Sequence, residues 1–296
     1  MADLHTTLVH FELEQGKPVQ ISPLVRRLTA DNANVFTGPG TNTYIVGTER
    51  YVVVDPGPND QAHIDAIMAA TGGRIDKILA THCHEDHSPA AAPLAELTGA
   101  ELVGMKVANH SEYLDDTFLP ENDVVDGDIV DGDGFRLRCI MTPGHLKQHV
   151  CFLLEEEHLL FTGDHIMQGA TVTIIPPHGG SMKDYFESLL KLKGQGIERL
   201  APAHGHILQQ AEQVIDELYA HRVAREDKIL GVLQQQRKGT VEELAPLVYP
   251  ELEGDITRGA LAILWAHLQK LVEDGRVSRH HEKHWIAGEE IWEILD

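Results

Sequence analysis

Residues 81–88 read Thr-His-Cys-His-Glu-Asp-His-Ser. Three imidazoles and a carboxylate, His82, His84, Asp86 and His87, fall within this short stretch. Imidazole and carboxylate are the ligands that zinc and other borderline first-row metals take. The apolar run Lys77-Ile78-Leu79-Ala80 precedes the cluster and predicts a buried strand, and a helical pattern from Pro89 to Leu97 follows it. Side chains alternate at a strand end, so His82 and His84 are expected to face one way and Cys83 the other. The turn that follows brings Asp86 and His87 to an adjoining point. This is a different device from two histidines one helical turn apart. A plain surface histidine cluster is the competing reading. The crowding of ligand types favours a metal site.

Three later elements each offer one more ligand-type residue. Thr142-Pro143-Gly144-His145 places His145 in a tight turn after a strand predicted over Phe135 to Met141. Thr162-Gly163-Asp164 places Asp164 after the apolar Leu159-Leu160-Phe161, and Pro202-Ala203-His204-Gly205 places His204 after Leu200-Ala201. Strand ends are where α/β sheets gather their sites. Any one of these would read as an ordinary loop residue, but in this order, after residues 82–87, they form a specific signature. His149, His165, His178 and His206 lie near these motifs and read as loop residues more readily than as partners of the ligands.

The elements that must position these residues are an α/β set. Thr43 to Val46 and Tyr51 to Val54 read as a hairpin, and Asp55-Pro56-Gly57 ends its second strand. Ala62 to Ala70 carries apolar groups at helical spacing, stopped by Gly72-Gly73. Further strands are expected at Phe135 to Met141, Val150 to Leu154 and Leu159 to Phe161. Asp126-Gly127-Asp128 and Asp131-Gly132-Asp133-Gly134 are turn chemistry rather than a calcium loop. After His221 the pattern changes to three helices and a two-stranded wing. We therefore expect two domains, 1–221 holding the metal ligands and 222–296 a winged helix.

Composition narrows the partners. Lysine plus arginine number 24 and aspartate plus glutamate 46, a formal charge of −22. From Arg222 onward the balance is 10 − 14 = −4, so most of the acidity lies before it. Such a surface disfavours a nucleic-acid backbone, although Arg276, Arg279, His280, His281, Lys283 and His284 cluster near the wing. Three cysteines without close pairing argue against a disulfide scaffold and for a reducing compartment. No apolar run long enough for a membrane helix and no secretory leader is read from the sequence, so a cytoplasmic protein without membrane partners is expected.

With Asp55, the ordered motifs resemble those of the metallo-β-lactamase superfamily over roughly residues 20 to 210. The resemblance implies a four-layer αββα sandwich with its site along one edge, followed by the small winged-helix domain. It implies that His82, His84 and His145 hold a first metal, that Asp86, His87 and His204 hold a second, and that Asp164 bridges them. Asp55 would orient ligands by hydrogen bonding. Gly38-Pro39-Gly40-Thr41-Asn42-Thr43-Tyr44 together with the winged helix resembles the lactamase-beta-like branch, some members of which cut single-stranded RNA. Cys83 and Ser88-Pro89-Ala90 depart from that branch's pattern. The implied cofactors are two zinc ions per chain, with iron or manganese as the alternatives. The implied activity is metal-dependent hydrolysis by a metal-bound hydroxide, with Asp86 and Asp164 as the catalytic carboxylates. A small ester, thioester, lactone or related substrate is expected. A single-strand endoribonuclease and a winged-helix nucleic-acid-binding protein are the alternatives.

Overall fold

The computed structural model describes residues 13–107, 113–168, 171–252, 257–280 and 290–295. It divides into two compact units. The first comprises residues 1–142, 148–172 and 192–212, and the second comprises 143–147, 173–191 and 213–296.

Two six-stranded sheets build the first unit. One holds β1 (Pro18–Gln20), β2 (Val25–Thr29), β3 (Asn42–Val46), β4 (Tyr51–Val54), β5 (Ile75–Leu79) and β6 (Glu101–Val103), in that order. Its first four strands run antiparallel. The parallel pairs β4–β5 and β5–β6 require crossovers, supplied by α1 (Gln61–Thr71) and α2 (Ala91–Thr98). The other sheet holds β7 (Ile129–Asp131), β8 (Arg136–Met141), β9 (Val150–Leu154), β10 (Leu159–Gly163), β11 (Arg199–Pro202) and β12 (Leu208–Gln209). It is antiparallel except where β10 meets β11.

Alternation along β4 shows how the layers form. Val52 and Val54 join Tyr44 and Leu79 in a core shared with Leu137, Phe152, Leu154 and Phe161 of the second sheet. Val53, between them, points into a separate core with Ile78, Ile64 and Ile67 of α1 and Leu94 of α2. A strand buried on both faces needs an unbroken apolar run, and Tyr51 to Val54 provides it. Tyr44 and Phe161 meet across the sheets with ring centroids 5.0 Å apart. Asp60 caps α1 by accepting from the His63 N–H at 2.9 Å, and Gly72 ends it at φ 59°.

In the second unit lie α3 (Met182–Lys191), α5 (Val241–Val248), α6 (Arg258–Glu273) and all of α4 (Ala211–Gln236) beyond Glu212. A three-stranded sheet of β13 (Lys238–Gly239), β14 (Val277–His280) and β15 (Ile291–Ile294) runs in the order β13–β15–β14. Leu233, Leu244, Val248, Leu264, Leu268 and Trp292 are among the residues of its own core. Thr240 and Glu243 cap α5 reciprocally. The boundary expected at residue 221 falls inside α4, and the compact units change over between 212 and 213. Of the basic wing cluster, His281, Lys283 and His284 lie outside the described residues. Among the described residues no helix is long and apolar enough to cross a membrane.

Candidate metal centre

The residues that end β4 and β5 organise the site. Asp55 follows β4 in a left-handed conformation, φ 49°, and its side chain is buried. Oδ1 accepts from the Thr81 backbone N–H at 2.7 Å, and Oδ2 accepts from the Thr81 hydroxyl at 2.8 Å. The His87 Nδ1 lies 3.1 Å from the same Oδ2. Thr81 Oγ1 in turn sits 3.1 Å from His82 Nδ1. One carboxylate therefore reaches two imidazoles, directly and through a threonine. Both rings have Nδ1 so engaged, which directs Nε2 away from the support and fixes ring orientation.

His82 and His84 do face one way. Their rings are 4.6 Å apart, with His82 Nε2 2.8 Å from His84 Nδ1. Cys83 points elsewhere, its thiol donating to the Met105 carbonyl at 3.3 Å, and burial pushes its pKa up to about 12. Cys83, Cys139 and Cys151 are all buried, and none of them is in a disulfide among the described residues. Ser88, at the departure from the branch pattern, donates to the buried Asp115 at 2.6 Å.

Two groups of candidate ligands result within the first unit, His82, His84 and Asp164 in one and Asp86, His87 and His204 in the other, while His145 lies in the second unit. Within each group the donor atoms lie within 4.8 Å of one another. His145 Nδ1 is 2.6 Å from the Thr173 carbonyl, and His204 Nδ1 is 3.3 Å from that of Gly40. Six of the seven ligand-type residues expected from the sequence fall in these two groups of the first unit.

The donor set fits a cation. His87 Nε2 is 3.4 Å from Asp86 Oδ2 and 3.5 Å from Asp164 Oδ1. His204 Nε2 is 3.4 Å from the first and 3.3 Å from the second. A tetrahedral ion bound at about 2.0–2.1 Å spaces its donors about 3.3–3.4 Å apart. His87 Nε2 is buried and makes no hydrogen bond among the described residues, although it faces two carboxylates. That is the arrangement expected of a ligand atom rather than a structural donor.

Electrostatics agree. Burial opposes charge on His87, but Asp86 and Asp164 outweigh it and raise its pKa well above the ordinary imidazole range. His204 is raised to about 9, burial again being overcome, here by Asp164 first and then Asp86. Burial also disfavours an ionised Asp86, yet His87 and His204 hold its carboxyl well below the usual range. The cluster demands positive charge, and a metal entering it must displace protons from the two histidines.

Some residues at the site escaped the sequence reading. Thr81 supports both His82 and Asp55 and lies inside the quoted 81–88 run. Thr41 donates to Asp86 Oδ2 at 3.0 Å. His149 and His165 lie in loops, as expected, but are fully buried, and the His149 ring lies 5.1 Å from that of His82. The signal available for Thr41 was its place in the motif 38–44, where polar side chains run on into a strand buried along its whole length.

Comparison with known proteins agrees with this geometry. Residues 36–204 match the model of the metallo-beta-lactamase superfamily, and residues 240–285 match that of the beta-lactamase associated winged helix domain. A Caenorhabditis elegans protein named beta-lactamase-like protein 2 homolog is 32% identical, over 93% of this chain and 94% of its own. A protein of Paecilomyces divaricatus named atrochrysone carboxyl ACP thioesterase is 32% identical, over 90% of this chain and 87% of its own. A solved beta-lactamase domain protein from Burkholderia ambifaria shares the fold, with a TM-score of 0.79 at 20% identity, over 99% of this chain and 97% of that one. With the motifs, sheets and donor groups all in agreement, the chain belongs to the metallo-beta-lactamase superfamily and is a hydrolase of that fold with the associated winged helix domain.

Proposed function

We propose that the chain is a dinuclear, zinc-dependent hydrolase acting on a small acyl thioester. The observation that carries the metal assignment is the four-sided array of His87, His204, Asp86 and Asp164, with Nε2 to carboxylate spacings of 3.3 to 3.5 Å. His82, His84 and His145 would hold one ion, Asp86, His87 and His204 the other, and Asp164 would serve both. When bound, such ions polarise a carbonyl and acidify a water to near neutrality. The protein's own residues do the rest. Asp55 and Thr81 hold His87 and His82 in one orientation. Asp164 keeps the two donor groups at a working separation. We assign to Asp86, whose side chain at 26% exposure is the most open of the four in the array, the role of accepting the proton that an attacking water would give up. The three buried cysteines take no nucleophilic part, and they suit a reducing cytoplasm.

Two considerations support the thioester. Relatives over most of the chain's length are named as acyl-carrier thioesterases, at 32% and 30% identity. A thiolate also leaves without a strong general acid, the conjugate thiol having a pKa of about 8.5. That suits a centre made of ionised carboxylates and imidazoles. A panel of acyl thioesters, oxygen esters, lactones, a β-lactam and single-stranded RNA tests the substrate assignment. The highest kcat/KM is expected on a thioester. Faster cleavage of the RNA at physiological salt would replace the assignment with a nuclease.

A further inference from the structure

The segment Gly38 to Tyr44 precedes every metal-ligand motif in the chain, yet it reaches the ligands. Thr41 is fully buried, and its hydroxyl donates to Asp86 Oδ2 at 3.0 Å, across 45 residues of sequence. That oxygen also faces His87 Nε2 and His204 Nε2, each 3.4 Å away. A hydroxyl has one proton, and something must decide where it goes. Asn32 does so. Its Nδ2 donates to Thr41 Oγ1 at 2.9 Å, occupying a lone pair and leaving the proton for Asp86. Its Oδ1 accepts from the Thr41 backbone N–H at 2.8 Å, so the threonine is gripped at both ends.

The neighbouring residues hold the opposite ligand. The Gly40 carbonyl lies 3.3 Å from His204 Nδ1. Gly40 has φ 128°, and an added Cβ would come within 2.1 Å of the Ala30 carbonyl oxygen, so only glycine carries the chain through. Asn42 Nδ2 donates to the carbonyls of Pro202 and Gly205 at 3.0 and 2.8 Å. Its backbone N–H donates to Ala203 at 2.7 Å. Those bonds bracket His204 on both sides. Three consecutive residues thus connect Asp86 to His204.

We infer that Thr41, directed by Asn32, is a positioning residue that sets the Asp86 carboxylate for the ion shared with His87 and His204. This rests on the metal-dependent reading above. Asp86 has the greatest need of such a donor. Its side chain is 26% exposed, against 0%, 2% and 12% for His87, His204 and Asp164, so packing alone constrains it least.

The test uses the full chain and reads metal binding rather than turnover. Zinc affinity is measured by competition with a chromogenic chelator, and the ligand field by the visible spectrum after cobalt loading, for wild type, Thr41→Val, Thr41→Ser and Asn32→Ala. Thr41→Val is isosteric and lacks only the hydroxyl. We expect it to weaken one of the two zinc sites by about 10- to 100-fold, the range for ligand-supporting groups, and to alter the cobalt spectrum. Thr41→Ser should restore both to near wild type. Asn32→Ala should fall between, because the hydroxyl remains but is no longer directed. Thr41→Val with unchanged affinity and spectrum would overturn the inference alone, as would Thr41→Ser as impaired as Thr41→Val. If Thr41→Val fails to fold, Asn32→Ala decides, and wild-type affinity in that variant overturns the inference. A folded wild type that takes up no zinc would overturn the metal-dependent reading as well.

Discussion

At the residue scale the site is an exercise in buried charge. Asp164 Oδ1 faces both His87 and His204 at 3.5 and 3.3 Å, and Asp164 also belongs to the donor group of His82 and His84. On the proposed function, a carboxylate in that position would let two ions share one centre. Asp164→Asn keeps the shape and removes the charge. It should lower metal content and reduce turnover by orders of magnitude while leaving the circular dichroism spectrum unchanged; near-normal turnover in a folded, metal-loaded variant would remove Asp164 from the centre. The candidate ligands stood out in the sequence because histidine and aspartate are crowded there within a few residues. Thr41, Thr81 and Asn42 did not. Hydroxyls and amides are common, and their meaning here lies in contacts 45, 26 and 160 residues away, respectively, which no local spacing reveals.

At the scale of elements, strand ends do the positioning. β10 ends at Gly163 with φ 49°, and Asp164 follows at once. A Cβ at Gly163 would stand 2.4 Å from Thr81 Oγ1 and 2.8 Å from His149 Nε2. Both neighbours are buried and held, Thr81 by Asp55 and His149 by the Thr142 hydroxyl at 2.9 Å. They cannot yield without disturbing His82 or Asp55. Gly163→Ala should therefore destabilise the protein by about 1–3 kcal/mol, the usual cost of overpacking, and weaken metal uptake in the same variant. Urea unfolding of chelated and zinc-loaded protein separates the two effects, and equal loss in both forms would make Gly163 a packing residue only. The strands themselves were readable from apolar runs such as Tyr51 to Val54 and Lys77 to Ala80. Their pairing across two sheets was not, because β4 meets β5 and β10 meets β11 only after helical excursions. The same pairing buries His149 and His165, which their sequence neighbourhood did not foretell.

At the scale of the whole molecule, charge and titration matter more than any one contact. A formal charge of −22 repels polyanions, and a winged helix does not by itself imply nucleic-acid binding. The second unit also carries a buried histidine in its fold. His267 lies 3.6 Å from Glu226 and packs edge-on to Phe186. Burial lowers its pKa to about 4 from an ordinary 6.5, against the pull of Glu226. The unfolded chain therefore takes up the proton first as pH falls. The neutral histidine's contribution to stability is fully present above about 6.5 and is lost as pH drops towards about 4. His267→Leu removes that titration, so its urea midpoint should fall less steeply than wild type across this window. The metal ligands titrate equally in both proteins and cancel in the difference; parallel curves would show that His267 does not titrate as its surroundings require. The division into a metal-binding part and a winged helix was legible because the ligand motifs stop at His204 and the amphipathic pattern takes over. The expected boundary, residue 221, lies within α4, which runs unbroken from Ala211 to Gln236. Whether a dinuclear metal centre performs the hydrolysis is decided by a single titration. Chelator-stripped protein is given zinc in steps while bound metal and thioester turnover are measured on the same samples. Turnover should be near zero without metal and rise to saturate at about two ions per chain. Full turnover by folded protein with no bound metal would contradict metal-dependent hydrolysis.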